Sequence, residues 1–181
     1  MASRDLNDLI PAMKTKSEAL IRKCRDRGIE MRPSATLRSP FEQAELWRQS
    51  RAREEVQAKI RELKAAGANF LAFCLENVGP RSGPDVTGSI PGLSWHQWGE
   101  ALDCFWVIDG RAEWSTTKKV NGLNGYRVYA EEAERLGLTA GGLWPRRKDW
   151  PHAQLSAASS PARARTLLEI DRIMKERFEQ G

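Results

Sequence analysis

Only two histidines occur in this 181-residue chain, and each sits among side chains that can bind a metal or move a proton. SWHQWGEALD, residues 94 to 103, sets His96 upstream of Asp103; DWPH, residues 149 to 152, sets Asp149 just before His152. Two imidazoles and one carboxylate, with a fourth position left open, make the donor set of a catalytic rather than a structural zinc site. A carboxylate on an inner strand is costly to bury unless it is paired or binds a metal, so Asp103 needs partners. Gly99 would let the backbone turn tightly before the strand that carries Asp103, so that His96 and Asp103 converge. His152 would arrive from a distant strand. Pro151 forbids an ordinary helix interior and biases Trp150 towards extended backbone, so Asp149 and His152 share an irregular turn. There Asp149 can stand beside a metal without ligating it, placed to take a proton from an attacking water and pass it to a leaving amine. Its alternative role is that of a carboxylate that caps a turn or orients a histidine.

These side chains need elements to hold them. ALDCFWVID alternates with Ala101, Asp103, Phe105 and Val107 on one face and Leu102, Cys104, Trp106 and Ile108 on the other. Both faces are largely apolar, which predicts an inner strand carrying one acid, and Asp109-Gly110 predicts a hairpin into RAEWS. GGLWPRRKDWPHAQLS predicts a loop running into a strand, and IEMRPSATLRS a short strand interrupted or frayed at Pro33. Helices are predicted over DLNDLIPAMKTKSEALIRKCRDRG, stopping at Gly28; from Ser39-Pro40 through FEQAELW, with Ser as N-cap; over roughly 52–66 as a solvated amphipathic element; over 124–136, ended by Gly137; and from Pro161 to about 179. The stretch 79–92, dense in Gly, Pro and Ser, predicts a loop. Helices and strands are segregated rather than alternating, which makes the class α+β, and 181 residues without a linker suit one domain.

SWHQWGEALD resembles the SxHxxGxAxD signature of the zinc peptidases that include bacterial D-alanyl-D-alanine carboxypeptidases and phage L-alanyl-D-glutamate endopeptidases. Ser94, His96, Gly99, Ala101 and Asp103 fall on that pattern, and DWPH resembles the family's closing acid-x-x-His. TLRSPFEQAELW is similar to the upstream family segment whose arginine lies in the active site, here Arg38. The resemblance runs over about residues 29–155. It implies a small Hedgehog/DD-peptidase-like α+β domain over 1–181, with helices packed on an antiparallel sheet and a zinc-binding groove. It further implies one Zn2+ held by His96, Asp103 and His152, Asp149 as the catalytic base, and Arg38 on the oxyanion or a substrate carboxylate, a task for a planar, permanently charged guanidinium. An ion pair with Glu42 is the alternative for Arg38. The acid of DWPH is an aspartate, which is closer to the phage endopeptidases and tilts the expected substrate towards the L-alanyl-D-glutamate bond of the peptidoglycan stem peptide. Ser94, Gln154 and Trp98 are candidate substrate contacts, although Ser94 fits a loop-fixing role and Gln154 could instead orient a ligand. Two segments depart from the resemblance: a helical insertion at about 51–77, and RAEWSTTKKVNGLNG, residues 111–125.

The bulk properties narrow the partners. Net charge is +5 with an isoelectric point near 9.3, which favours anionic partners without choosing among them. The basic residues are dispersed among acids and no nucleic-acid motif occurs, so nucleic acid is not expected. Cys24, Cys74 and Cys104 form no CxxC pair, which predicts neither a disulfide framework nor a thiolate metal site. MASRDLNDLIPAMKTK has no apolar run of the kind a secretory signal needs, and no stretch approaches the ~18 apolar residues of a membrane span. The expectation is therefore a monomer made in the cytoplasm and held there until released to act on the cell wall.

Overall fold

The computed structural model describes residues 2–179; residues 1, 180 and 181, the ends of the expected domain, lie outside the described residues. Its elements in chain order are α1 (Pro11–Asp26), β1 (Glu30–Ala35), α2 (Pro40–Arg48), α3 (Arg53–Ala65), α4 (Asn69–Asn77) and β2 (Ala101–Ile108). There follow β3 (Arg111–Glu113), α5 (Gly125–Arg135), β4 (Thr139–Ala140), β5 (His152–Gln154) and α6 (Leu167–Phe178). Their contacts cluster into two compact units interleaved along the chain: residues 2–37 with 98–157, and residues 38–97 with 158–179. No helix among the described residues is long and apolar enough to cross a membrane.

The first unit holds the sheet. Its order is β1-β2-β5-β4, every pairing is antiparallel, and β3 adds to β2 as the far arm of the hairpin turned at Asp109-Gly110. β2 is thus the central strand, as its doubly apolar pattern predicts. Leu102, Cys104 and Trp106 face a core completed by Met13, Leu20 and Cys24 of α1 and by Tyr126, Tyr129 and Ala133 of α5. Asp103 and Phe105, out of phase with those residues, occupy the other face of the strand. Pro33 lies inside β1, where the register against β2 shifts between Pro33 and Ala35; a residue without an N–H fits such an irregularity.

The second unit is helical. α2 opens with a complete capping box, Ser39 and Glu42 each satisfying the other's backbone, and with Pro40 in the first turn. The insertion at 51–77 is the pair α3 and α4. Val56, Ile60 and Leu63 bury one face of α3, while its acids and bases stay outside. The N-cap position of α4 is Ala68, which has no side chain able to cap the helix. Asp171 of α6 does so instead, accepting the Leu71 N–H at 2.8 Å from a hundred residues away. The C-terminal helix starts later than expected: Pro161–Arg163 make only a 3-10 turn, and the α-helix begins at Leu167, opened by the Thr166–Glu169 capping box.

Candidate metal centre

β2 and β5 do the main positioning. Asp103 and His152 are directly opposed in the antiparallel register, so their side chains leave the same face of the sheet side by side. His152 Nδ1 lies 2.9 Å from Asp103 Oδ1. His96 comes from the 3-10 turn Trp95–Trp98, seven residues before Asp103 along the same stretch of chain. His96, Asp103 and His152 can each offer one ligand atom, and these atoms all lie within 4.8 Å of one another. Both histidines are buried and Asp103 is half-buried.

Gly99 is what lets the chain enter β2 at the right place. Its φ is +70°, and a Cβ there would stand 3.3 Å from both Asp8 O and Ile10 N. The Ile10 N–H donates to the Gly99 carbonyl at 3.1 Å, so the turn is tied to the start of α1. Any other residue would both strain the left-handed backbone and crowd that contact.

The polarity around His152 discriminates what the site can hold. Gln154 is 2% exposed. Its Nε2 donates to the Ser156 carbonyl at 2.7 Å, which leaves its Oε1 facing His152 Nε2 at 3.0 Å. An amide oxygen can only accept, so Nε2 carries the imidazole proton. In the neutral ring Nδ1 is then a lone pair, pointed at a carboxylate oxygen at hydrogen-bond distance. Two electron-rich atoms this close need a cation between them, a proton or a metal ion. Burial alone would push the His152 pKa down, but the hydrogen bond and charge of Asp103, the charge of Asp149 and the bond to Gln154 outweigh it, and the pKa is raised. The pocket therefore attracts positive charge. With two imidazoles, one carboxylate and an outer hydrogen bond fixing the tautomer, the residues present fit zinc.

Asp149 lies on the turn before β5 and is exposed. Its N–H donates to Gly141 O at 3.1 Å and its carbonyl accepts from His152 N–H at 3.2 Å. The turn packs so tightly that a Cβ on Gly141 would meet the Asp149 carbonyl at 2.3 Å. Gly141 is a positioning residue that the sequence did not single out, although the doubled glycine of AGGLW marks a close backbone approach. Trp144 was missed as well: its ring centroid is 5.5 Å from that of His152, and it forms one wall of the ligand.

Arg38 is half-buried. Its N–H donates to the His96 carbonyl at 3.3 Å, and its Nη1 donates to Gln43 Oε1 at 3.0 Å. Gln97 Nε2 donates to that same oxygen at 3.0 Å, and Gln97 Oε1 accepts from Gly92 N–H at 2.9 Å. Gln43 and Gln97, both 0% exposed, brace the guanidinium and the 92–97 turn together. Sequence reading passed over both, because nothing in the chain distinguishes a buried glutamine from a surface one. Glu42, the alternative partner of Arg38, has Oε2 engaged by the Ser39 N–H at 2.9 Å.

The remaining candidates fall in three different settings. Ser94 is half-buried and accepts the Gln97 N–H through its carbonyl at 3.1 Å, a contact internal to the turn. Trp98 is 5% exposed and offers little surface to a substrate. Gln154 stands behind His152 rather than in the open.

Residues 87–155 match a peptidase family model described as D-alanyl-D-alanine carboxypeptidase. The chain is 28% identical over 152 residues to the peptidoglycan L-alanyl-D-glutamate endopeptidase CwlK of Bacillus subtilis (strain 168), covering 82% of this chain and 74% of that protein. Among solved structures, the Serratia marcescens L-Ala D-Glu endopeptidase ChiX aligns over 86% of this chain and 89% of its own, at 20% identity and a TM-score of 0.44. The vancomycin-resistance D,D-pentapeptidase VanY from the VanB-type cassette, a point mutant in complex with Zn(II), aligns over 92% of this chain and 78% of its own, at 18% identity and a TM-score of 0.44. The stretch that matches the family model contains all three residues of the donor set, so the similarity of this chain to D-alanyl-D-alanine carboxypeptidases falls on its metal centre.

Proposed function

We propose that the protein hydrolyses the stem peptide of peptidoglycan, cutting the L-alanyl-D-glutamate bond, as an endolysin-type enzyme held in the cytoplasm until it is released to the wall, with residues 1–181 acting as one monomeric peptidase domain. The observation that carries the peptidase reading is the convergence of His96, Asp103 and His152 with Asp149 on the adjoining turn. The 28% identity to an L-alanyl-D-glutamate endopeptidase supports the choice of bond. Zinc bound at this site would act as a Lewis acid on the scissile carbonyl and make an attacking water more acidic.

The chain's own residues supply the rest. Asp149, exposed on its turn and not needed as a ligand, accepts the proton of the attacking water and returns it to the departing amine. Asp103 and His152 hold the charge of the centre in register through the β2–β5 pairing, and Gln154 keeps the His152 tautomer. Arg38, pre-set by Gln43, presents a permanent positive charge to an oxyanion or a substrate carboxylate.

A second reading, release of terminal D-alanine, is favoured by the description of the matching family model. Mass spectrometry of fragments released from purified peptidoglycan, with and without a zinc chelator, separates the two. New N-terminal D-glutamate, lost with the chelator, is the expected result. Free D-alanine would move the enzyme to the carboxypeptidases, and no fragment from zinc-loaded protein would sink both readings.

A further inference from the structure

The segment 111–125, which departs from the family resemblance, carries a feature the peptidase chemistry does not use. Trp114, just past β3, is 58% exposed, and its ring lies 5.8 Å from that of Phe105 at an interplanar angle of 35°. Leaving an indole in water forgoes a large apolar burial, and here the backbone gives it no freedom to hide. Tyr126 Oη donates to the Glu113 carbonyl at 2.8 Å, and Ser115 N–H donates to Glu113 Oε1 at 2.8 Å. Asn124 Nδ2 donates to the carbonyls of Ser115 and Lys118 at 3.0 and 2.8 Å. Both flanks of Trp114 are thus pinned.

Its location follows from the sheet. Phe105 shares the face of β2 that carries Asp103. β3 pairs Glu113 with Trp106, so Trp114 continues to a position beside Phe105. β5 pairs His152 with Asp103, and the two aromatic rings lie two residues further along β2. At a strand rise of ~3.3 Å per residue, that is roughly 7 Å from the metal-ligand pair.

We propose that Trp114 and Phe105 form a stacking platform for the N-acetylated sugar ring to which the stem peptide is attached; this rests on the peptidoglycan reading above. The spacing selects that occupant. In peptidoglycan a lactyl group and one alanine separate the sugar from the L-alanyl-D-glutamate bond, a span of about 7 Å at ~3.5 Å per unit. For the D-alanyl-D-alanine bond the intervening chain is five such units, about 17 Å, and the sugar would lie well beyond the platform. An aromatic face suits a pyranose because the axial C–H groups of the sugar present an apolar, weakly positive surface to the negative face of the ring system.

The test compares wild type, Trp114→Ala and Trp114→Phe. Calorimetric titration with a peptide-free N-acetylglucosamine–N-acetylmuramic acid oligosaccharide reads binding without cleavage, and kcat/KM is measured on a glycan-linked stem peptide and on the free peptide. Binding to wild type, at least tenfold weaker in the alanine variant and largely kept in the phenylalanine variant, is expected. So is a loss of about tenfold in kcat/KM, equivalent to ~1.4 kcal/mol, on the glycan-linked substrate only and expressed in KM. No oligosaccharide binding to wild type, or an equal loss on both peptides, overturns the platform. Intact binding in an enzyme that cuts elsewhere in the stem would overturn the distance argument and the choice of bond, leaving the sugar contact standing.

Discussion

Replacing Gln154 with leucine tests the tautomer argument directly. The amide makes two bonds in a dry setting, Oε1 to His152 Nε2 at 3.0 Å and Nε2 to the Ser156 carbonyl at 2.7 Å. Leucine is close in volume, so packing changes little, but it leaves an imidazole N–H and a carbonyl without their partner. At ~1–3 kcal/mol for each buried orphan, the apo protein should lose about 2–6 kcal/mol of stability. Zinc affinity should fall separately, because His152 no longer has a fixed tautomer presenting Nδ1 towards Asp103; loss of such an outer hydrogen bond typically costs ~10–100-fold. Gln154→Glu keeps an acceptor opposite Nε2 and should retain affinity far better. The assay is competition with a chromophoric chelator, run beside thermal unfolding of apo and zinc-loaded protein so that fold and metal effects separate. If Gln154→Leu binds zinc within twofold of wild type while folded, the orientation of His152 does not depend on this amide and the reasoning fails.

Asp149→Asn should retain zinc while losing activity by more than about a hundredfold, the range expected for removal of a general base; metal analysis together with turnover of a stem-peptide substrate checks both halves, and normal turnover would remove Asp149 from the chemistry. Asp171→Ala should cost about 1–2 kcal/mol in denaturant unfolding, as loss of a helix cap does. Asp171→Asn should cost much less, because it keeps an acceptor for Leu71 N–H and removes a carboxylate whose pKa burial pushes up against the lowering effect of the Leu71 and Phe70 amides. Cys24 and Cys74 are pushed up to about 12, by burial first and then by Glu132 and Asp171 respectively, while in the unfolded chain they titrate near their ordinary value of 9.0. Their contribution to stability is therefore complete below pH 9 and is lost as pH rises towards 12, and neither thiol should be alkylated in the native protein at pH 8. Rapid labelling under native conditions would contradict the burial that sets those values.

The aspartate of β2 was legible because its chemistry contradicts its surroundings: one acid in a strand apolar on both faces needs a reason, and two histidines were the only imidazoles available. The Ser39 cap of α2, the hairpin at Asp109-Gly110 and the stop of α5 at Gly137 were legible because each is a local preference of a few neighbouring residues. The late start of α6 was not, since Pro161 also satisfies the rules for a helix start and only the Thr166–Glu169 pairing shows which one the chain uses. Nor could the chain announce that Ala68 would leave α4 uncapped for Asp171 to serve, a contact spanning a hundred positions.

What the linear chain determined by itself is the donor set, the inner character of β2 and the glycine turn that feeds it, because residue type and short-range spacing carry all three. What only the tertiary structure decided is register and orientation. The β2–β5 pairing sets His152 opposite Asp103, the Ser156–Gln154 bond aims the imidazole, Gln43 and Gln97 brace Arg38, and the β2–β3 pairing carries Trp114 beside Phe105. A hydrogen bond or a ring stack depends on distances of a few ångströms between residues far apart in sequence, and those distances exist only once the sheet has closed.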